Sequence, residues 1–307
     1  MRLLAVKIGV GVPSEPFSGS VQSVFFNAAI LTVANRLVTL APTAAGGLPG
    51  AITLDVPSGF NFAGALTIGA AAVSRAGVLR FAGNAASIDL RGATAWRSRL
   101  CDLALDLAAP AVERAWITVA AVLLTDGRSA AIARLGHAAM NDLSQATRHF
   151  NLWEAEQAAE RLVGLGAGGT PAGDDFLVGY LAGLFSSAGT DRTRTNFAVA
   201  FANTCRSLGK RTNDISRTYL EAAADGQVSE RLADVAKSVV AGEAELRVAE
   251  TVALAMAVGH SSGADGMLGL LQGLGSWGPA SVLSRGRGLV DQLAQAAAAH
   301  IGERRRQ

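Results

Sequence analysis

Residues 164–175 read Gly-Leu-Gly-Ala-Gly-Gly-Thr-Pro-Ala-Gly-Asp-Asp and run directly into the apolar segment 176–185. Five glycines in these twelve residues allow positive φ angles and leave backbone N–H groups exposed. Thr170 suits a helix N-cap and Pro171 the first helical position. The stretch therefore predicts a glycine loop leading into a helix N-terminus, where free amides and the helix dipole would bind an anion.

The same pattern recurs ninety positions later, because residues 169–184 align without gaps on residues 259–274. Seven of the sixteen aligned positions are identical, whereas chance would give roughly one or two. This indicates two copies of one loop–helix unit, with Asp175 and Asp265 at equivalent positions around one site. Glycines four apart in each copy would also let two helices approach closely. The alternative is that both loops are only helix caps in a bundle rich in alanine and glycine.

The adjacent carboxylates Asp174 and Asp175 would repel a bare phosphate. They suggest either a bridging Mg²⁺ or a substrate rich in hydrogen-bond donors, such as an amide. No Lys-Ser/Thr pair follows the glycines, so the loop is neither a Walker A motif nor a dinucleotide-binding fingerprint. The four histidines share no metal-ligand spacing, and Cys101 and Cys205 are too isolated for a thiolate site, so no metal ligands are predicted.

Two further segments contribute candidate residues. Thr212, Ser216 and Tyr219 would share one helix face, with Arg211 beside them as a cation for a carboxylate or phosphate. His260 opens the second glycine loop and could donate a proton, although a lone histidine is more often structural. The predicted catalytic residues are Asp175, His260 and Asp265. The predicted substrate-binding residues are Gly166, Gly168, Gly169, Thr170, Gly173, Asp174, Arg211, Thr212, Ser216, Ser261, Ser262 and Gly263.

The bulk composition excludes several classes of protein. Half of the 307 residues are hydrophobic and 17% are charged, which predicts a large core and an apolar surface suited to a subunit or oligomer interface. The net charge is +2, and the one basic cluster, 304–306, is typical of a solvated tail, so no nucleic-acid partner is expected. No segment resembles a signal peptide or a membrane span, which predicts a cytoplasmic protein without a membrane partner.

The fold class predicted is α+β, with a β-rich domain over 1–95 and a larger all-helical domain over 96–307 that holds both glycine loops. Short β-branched and aromatic runs separated by turn residues favour an antiparallel sandwich or barrel. The predicted strands lie at 21–26, 37–40, 51–56, 66–68, 78–81 and 87–90. Helices are predicted at 100–107, 110–124, 195–209, 212–224, 229–241, 243–258 and 279–302. Asn151 and Glu154 are predicted to cap a further helix that ends at Gly164.

The glycine motif resembles the signature of the AllH-like family, whose usual form reads Gly-Leu-Gly-Pro-Gly-Leu-Thr-Pro-Ser-Gly-Asp-Asp. Residues 212–220 and 259–269 resemble the family's two later motifs, and residues 21–25 resemble its N-terminal strand. The likeness thus extends over nearly the whole chain. This sequence departs from the pattern at Ala167, Gly169 and Ala172, where Pro, Leu and Ser are usual, and thereby lacks one hydroxyl group of the motif.

The resemblance implies a subunit of a carbamoyltransferase that interconverts oxalurate plus phosphate with oxamate plus carbamoyl phosphate. It implies a small anionic substrate bound between loops 164–175 and 259–265, and partners that are other subunits or further copies of the chain. A non-catalytic subunit that binds an anion or acts as a scaffold is the first alternative. Mg²⁺-assisted phosphoryl transfer, suggested by the paired aspartates, is the second. No cofactor is assigned beyond a possible Mg²⁺.

Overall fold

The computed structural model describes residues 1–57, 59–83, 86–125, 131–259 and 261–304. The chain divides into two compact units, Met1–Ser98 and Arg99–Gln307, the first built of strands and the second of helices. The predicted α+β class, with a barrel-like unit before an all-helical one, is confirmed. No helix in the described ranges has the length and apolar character needed to cross a membrane.

The first unit is a closed eight-stranded barrel with a ninth strand added at one edge. Its strands are β1 (Arg2–Gly9), β2 (Phe17–Val24), β3 (Ala29–Val33), β4 (Arg36–Pro42), β5 (Ala51–Asp55), β6 (Ala71–Arg75), β7 (Val78–Phe81), β8 (Ser87–Asp89) and β9 (Thr94–Trp96). The order is β5-β4-β3-β2-β6-β7-β8-β1, and an antiparallel β1–β5 pairing closes the ring. Closure leaves the barrel strands without free edges, apart from β9, which extends from β1.

The barrel is mixed rather than wholly antiparallel as predicted. The pairs β1–β8, β1–β9 and β4–β5 run parallel. Strands β1, β3, β6 and β9 were not predicted, and the predicted strand at 66–68 is a turn. Strand β9 has no strong sequence pattern of its own, because it is stabilised by pairing with β1, which lies far away in sequence. Side chains that alternate inward, as in β6, fill the interior with apolar groups.

The second unit contains helices whose described bounds match most of the predicted helical segments. They are α1 (Pro110–Thr125), α2 (Ala131–Leu135), α3 (His137–Arg148), α4 (Leu152–Leu162), α5 (Ala172–Ala188), α6 (Arg192–Leu208), α7 (Asp214–Ala224), α8 (Glu230–Val240), α9 (Glu245–Met256), α10 (Ser262–Gly275) and α11 (Ala280–Arg304). The predicted helix at 100–107 is wrong, since only residues 100–102 form a short 3₁₀ turn. The Asn151 cap is confirmed, with its Oδ1 accepting from the Glu154 amide at 3.2 Å.

Helices α5 and α10 form the centre of this unit and are buried on nearly every side. A helix that is apolar all round is stable only inside a core. The two helices run parallel and touch backbone to backbone. A Cβ added to Gly269 would lie 2.0 Å from the Phe176 carbonyl oxygen, and one added to Gly179 would lie 1.9 Å from the Gly266 carbonyl oxygen. The close approach predicted from the glycine spacing is therefore confirmed.

The contacts between these helices repeat under the ninety-residue shift found in the sequence. Gly179 approaches Gly266 and Leu270, while Gly269 approaches Phe176 and Tyr180, which are the shifted counterparts. Such reciprocal contacts are those of two equivalent helices related by an approximate two-fold axis along their length. The duplicated unit in the sequence is thus a symmetric pair in space, with both N-termini at the same end.

Candidate functional site

The paired N-termini of α5 and α10 carry the two aspartates that the repeat places in register. Asp175 lies in the first turn of α5 and Asp265 in the first turn of α10. The charge of Asp265 contributes to the raised pKa of Asp175, so the two carboxyl groups are within electrostatic reach of each other. Two parallel helix dipoles point their positive ends at this region, which favours a bound negative charge.

The loop before α5 contains a run of amides without partners in the described part of the chain. Gly164, Gly166 and Gly168 have φ angles of 72°, 113° and 114°, a left-handed conformation that glycine adopts without strain. The N–H groups of residues 166–170 donate no hydrogen bond to any described residue. Backbone with glycines in this conformation can turn successive amides toward one point, as in anion-binding nests. The anion receptor expected from the sequence stays a prediction.

Asp175 is held by hydroxyl groups from both glycine loops. The Thr170 hydroxyl donates to Asp175 Oδ2 at 3.0 Å and lies 2.9 Å from the Ser262 hydroxyl. Burial raises the pKa of Asp175 to about 7; hydrogen bonds from Ser262 and Thr170 oppose this effect, and the charges of Asp265 and Asp174 add to it. Near neutral pH this carboxyl group can therefore either accept or donate a proton.

Replacing Thr170 by Val is expected to raise the pKa of Asp175 further. The hydroxyl favours the ionised carboxylate, so its loss stabilises the protonated form. The shift can be measured by NMR titration of the Asp175 carboxyl carbon. Thr218→Val is the matched control, because the Thr218 hydroxyl donates only to the Asp214 carbonyl oxygen on the same helix. A lower pKa in Thr170→Val, or equal shifts in both variants, would contradict the assigned hydrogen bond.

Asp265 is fully buried, and half of its carboxyl group has no partner. Its Oδ1 accepts from the Ile132 amide at 2.9 Å, whereas Oδ2 has no hydrogen-bond partner among the described residues. Burial raises the pKa of Asp265 to about 6, against the opposing effects of the Ile132 amide, the Ser261 side chain and the Ala131 amide. An unpaired buried carboxylate oxygen is costly, so this atom is disposed to take a hydrogen bond or a proton.

Asp174 and Thr212, both predicted to bind substrate, bond to each other instead. The carboxylate of Asp174, buried to 1% exposure, accepts from the Gly164 amide at 2.7 Å and from the Thr212 hydroxyl. These bonds fasten the beginning of the glycine loop to α5 and to the segment before α7. The adjacent carboxylates Asp174 and Asp175 thus face different partners. In the parts of the chain that the structure describes, no three acidic, histidine or cysteine side chains are grouped as a metal would require.

Gly173 and Gly263, also predicted to contact substrate, serve helix packing. A Cβ at Gly173 would lie 1.9 Å from the Leu162 carbonyl oxygen, and a Cβ at Gly263 would lie 2.5 Å from the Ala255 carbonyl oxygen. The two glycines are equivalent in the repeat, and each lets its helix approach the end of the preceding one, α4 or α9. A side chain at Gly173 would therefore disturb the fold itself rather than the approach of a ligand.

The other residues predicted to act in catalysis or substrate binding have different surroundings in the structure. The Arg211 guanidinium is exposed and pairs with Glu160 at 3.8 Å, so it is engaged at the surface. The Ser216 hydroxyl is buried with no partner in the described chain. Ser261 is the N-cap residue of α10 but makes no side-chain cap bond. His260 lies outside the described residues.

Two residues near the site, Asn213 and Tyr219, were missing from the list of predicted catalytic and substrate-binding residues, although Tyr219 had been placed on the candidate helix face. The Asn213 side chain caps α7 and also donates to the Gly169 carbonyl oxygen at 3.1 Å, which ties α7 to the glycine loop. Tyr219 lies close enough to Asp175 that the carboxylate adds to the effect of burial in raising the pKa of the phenol. The spacing of Thr212, Ser216 and Tyr219 on one helix face was the signal that could have included Tyr219.

Comparison with known proteins supports the resemblance found in the sequence. Residues 162–274 match the model of a family described as oxamate carbamoyltransferase subunit AllH. The match runs from the end of α4 through the glycine loop, α5 and α7 to the end of α10. No curated protein and no solved structure is significantly similar to the chain. The resemblance to the AllH-like family predicted from the glycine motif is therefore confirmed over residues 162–274, which make up less than half of the chain.

Proposed function

We propose that this chain is a subunit of a carbamoyltransferase and binds a small carbamoyl-bearing anion where the glycine loop meets the N-termini of α5 and α10. The observation that carries the proposal is the run of amides at 166–170, which donate to no described residue and lie beside Asp175, whose pKa is about 7. The amides and two helix N-termini suit a phosphate or carboxylate. A carboxyl group that titrates near neutral pH suits proton transfer to or from an amide nitrogen.

In the proposed reaction the amide nitrogen of oxamate attacks the carbamoyl carbon of carbamoyl phosphate. The new C–N bond forms as the C–O bond to phosphate breaks, which gives oxalurate and phosphate. The proton lost by the attacking nitrogen passes to Asp175 and from there to the departing phosphate. The loop amides would hold the phosphoryl oxygens, and preorganised donors of this kind commonly supply the largest catalytic term.

The acidic surroundings of the site give this binding a pH dependence. Burial holds the pKa of Asp175 at about 7 and that of Asp265 at about 6, so both carboxyls gain protons as the pH falls through this range. Protonation removes negative charge beside the loop, so anion affinity should rise. Proton transfer from the nucleophile needs Asp175 ionised, so turnover should fall over the same range. Binding and turnover are therefore expected to move in opposite directions below neutral pH.

The test is calorimetry with carbamoyl phosphate, oxamate and inorganic phosphate on the wild type and on two variants of one loop residue. Gly169→Pro removes an amide donor, whereas Gly169→Ala keeps it and finds no atom within 4 Å of the new Cβ. We expect carbamoyl phosphate affinity to fall at least about tenfold in Gly169→Pro and to stay near wild type in Gly169→Ala. Both variants should unfold cooperatively.

The same titrations distinguish a catalytic from a purely binding role. Binding without turnover by this chain alone, with turnover gained on addition of partner subunits, is the result expected of a dependent subunit. Binding that never leads to carbamoyl transfer in the assembled enzyme would favour an anion-binding or scaffold subunit. Absence of binding for all three compounds, or equal affinities in the two Gly169 variants, would overturn the proposed site.

A further inference from the structure

One hydroxyl group beside the proposed site takes no part in holding it together. Tyr219 is partly buried on α7, within electrostatic reach of the Asp175 carboxyl group. Thr170 and Ser262 form hydrogen bonds to that carboxyl group. The Tyr219 hydroxyl, in contrast, forms no hydrogen bond with any residue in the described ranges. Its proton is thus uncommitted within that part of the chain, near the carboxyl group to which proton transfer is assigned.

Helix α7 is fastened to the site by contacts that do not involve Tyr219 itself. The Asn213 side chain, which caps α7, donates to the Gly169 carbonyl oxygen at 3.1 Å, and α7 packs against α5. Ser216 lies three residues before Tyr219 and therefore shares its helix face. Because Ser216 is 1% exposed, this face is turned into the helical unit rather than toward solvent. The glycine loop and α5 together thus hold Tyr219 beside the site.

The proposed reaction requires a hydrogen-bond donor for one further atom. Attack at the carbamoyl carbon places negative charge on its carbonyl oxygen, and preorganised donors stabilise such charge. The loop amides are assigned to the phosphoryl oxygens, and Asp175 is assigned to the proton of the nucleophile. A neutral phenol suits the remaining task. Burial and then the charge of Asp175 raise the pKa of the Tyr219 phenol above its ordinary value, so this hydroxyl keeps its proton at neutral pH.

We propose that Tyr219 is a further catalytic residue, whose hydroxyl donates a hydrogen bond to the carbonyl oxygen of the carbamoyl group. This inference rests on the proposed function and deepens it, because it makes the site specific for a phosphate that carries a carbonyl group. The hydroxyl transfers no proton, so the bonds made and broken are those of the proposed reaction. Its hydrogen bond strengthens as charge develops on the carbonyl oxygen, which lowers the barrier to transfer.

Tyr219→Phe tests the role of the hydroxyl, because it keeps the ring and removes only that group. In calorimetry we expect the affinity for carbamoyl phosphate to fall about two- to tenfold, the usual effect of one neutral hydrogen bond, and that for inorganic phosphate to stay unchanged. Turnover of the assembled enzyme should fall at least about 100-fold. The midpoint of urea unfolding should not fall, because no hydrogen bond within the described ranges is lost.

Tyr180→Phe is the matched control, at the other tyrosine of the chain. The Tyr180 hydroxyl is buried, donates to the Thr147 hydroxyl at 2.8 Å and lies 3.0 Å from the Ser276 hydroxyl. Its loss should therefore lower the urea midpoint and leave both affinities at the wild-type value. The two variants are thus expected to have opposite signatures, one in binding and turnover and the other in stability.

The role of Tyr219 is overturned if Tyr219→Phe binds carbamoyl phosphate as tightly as the wild type, weakens inorganic phosphate equally, or leaves turnover unchanged. A fall in the urea midpoint equal to that of Tyr180→Phe would also overturn it, because the hydroxyl would then be structural. The Gly169→Pro variant separates this inference from the proposed function. Loss of affinity in Gly169→Pro with none in Tyr219→Phe would refute the role of Tyr219 and leave the loop site standing.

Discussion

Asp175→Asn is expected to lower the turnover of the assembled enzyme at least about 100-fold, the usual range for loss of a positioned proton-transfer group. Asn keeps the shape of the side chain and can still accept from Thr170, but it cannot take a proton from the nucleophile. Binding of carbamoyl phosphate should persist or strengthen, because one negative charge is lost beside the loop. Steady-state kinetics together with calorimetry separate the two effects.

The same substitution should make the protein more stable at neutral and higher pH. The pKa of Asp175 is about 7 in the folded chain against an ordinary value of 3.8. As the pH rises from about 4 to 7, the unfolded chain loses this proton while the folded chain keeps it, so the wild type loses stability. Asn has no such proton. We therefore expect Asp175→Asn to gain about 1–3 kcal/mol in the free energy of unfolding at pH 8, and little at pH 4.

Asp174→Asn provides the matched control one residue away. The Asp174 carboxylate accepts from the Gly164 amide and the Thr212 hydroxyl, so an amide nitrogen there would face a donor. This variant should lose about 1–3 kcal/mol rather than gain stability. Urea unfolding of both variants over a range of pH measures the contrast. If Asp175→Asn destabilises the protein as Asp174→Asn does, or leaves turnover unchanged, the role assigned to Asp175 is wrong.

Gly269→Ala is expected to cost at least about 3 kcal/mol in the free energy of unfolding, or to prevent folding. The added methyl group would lie 2.0 Å from the Phe176 carbonyl oxygen and 2.8 Å from the Tyr180 amide nitrogen, which are backbone atoms that cannot turn aside. The two central helices would have to separate along their whole contact. Urea unfolding measures the loss, and soluble yield reports a failure to fold.

Two companion variants make this prediction specific. Gly179→Ala places its methyl group 1.9 Å from the Gly266 carbonyl oxygen, so the repeat predicts a loss of similar size. Gly288→Ala lies within α11 with no atom within 4 Å of the new Cβ, and it should be neutral or gain up to about 1 kcal/mol from helix propensity. A mild effect of Gly269→Ala, or a large asymmetry between the two central glycines, would refute the symmetric helix pair.

Prediction of the fold from sequence succeeded where the signal was local and failed where it depended on distant pairing. Helix α8 was predicted within about a residue at each end, because its Ser229 cap and apolar periodicity lie within the segment. Residues 100–107 show helical spacing, yet they form little more than one turn, because spacing alone does not stabilise a short helix. Strand β1 escaped prediction because its partners are 40 to 90 residues away in sequence.

The sequence alone determined the duplicated loop–helix unit, the AllH-like character of the chain and the close approach of two helices. Glycine spacing and repeat identity are properties of short segments that can be read without coordinates. Only the tertiary structure decided which partners each of the three aspartates has. Asp174 bonds to Thr212, 38 residues away, Asp265 bonds to the Ile132 amide, 133 residues away, and Asp175 is left between the two loops. Burial and hydrogen bonding depend on such distant neighbours, because the free energy of a charge is set by everything packed around it.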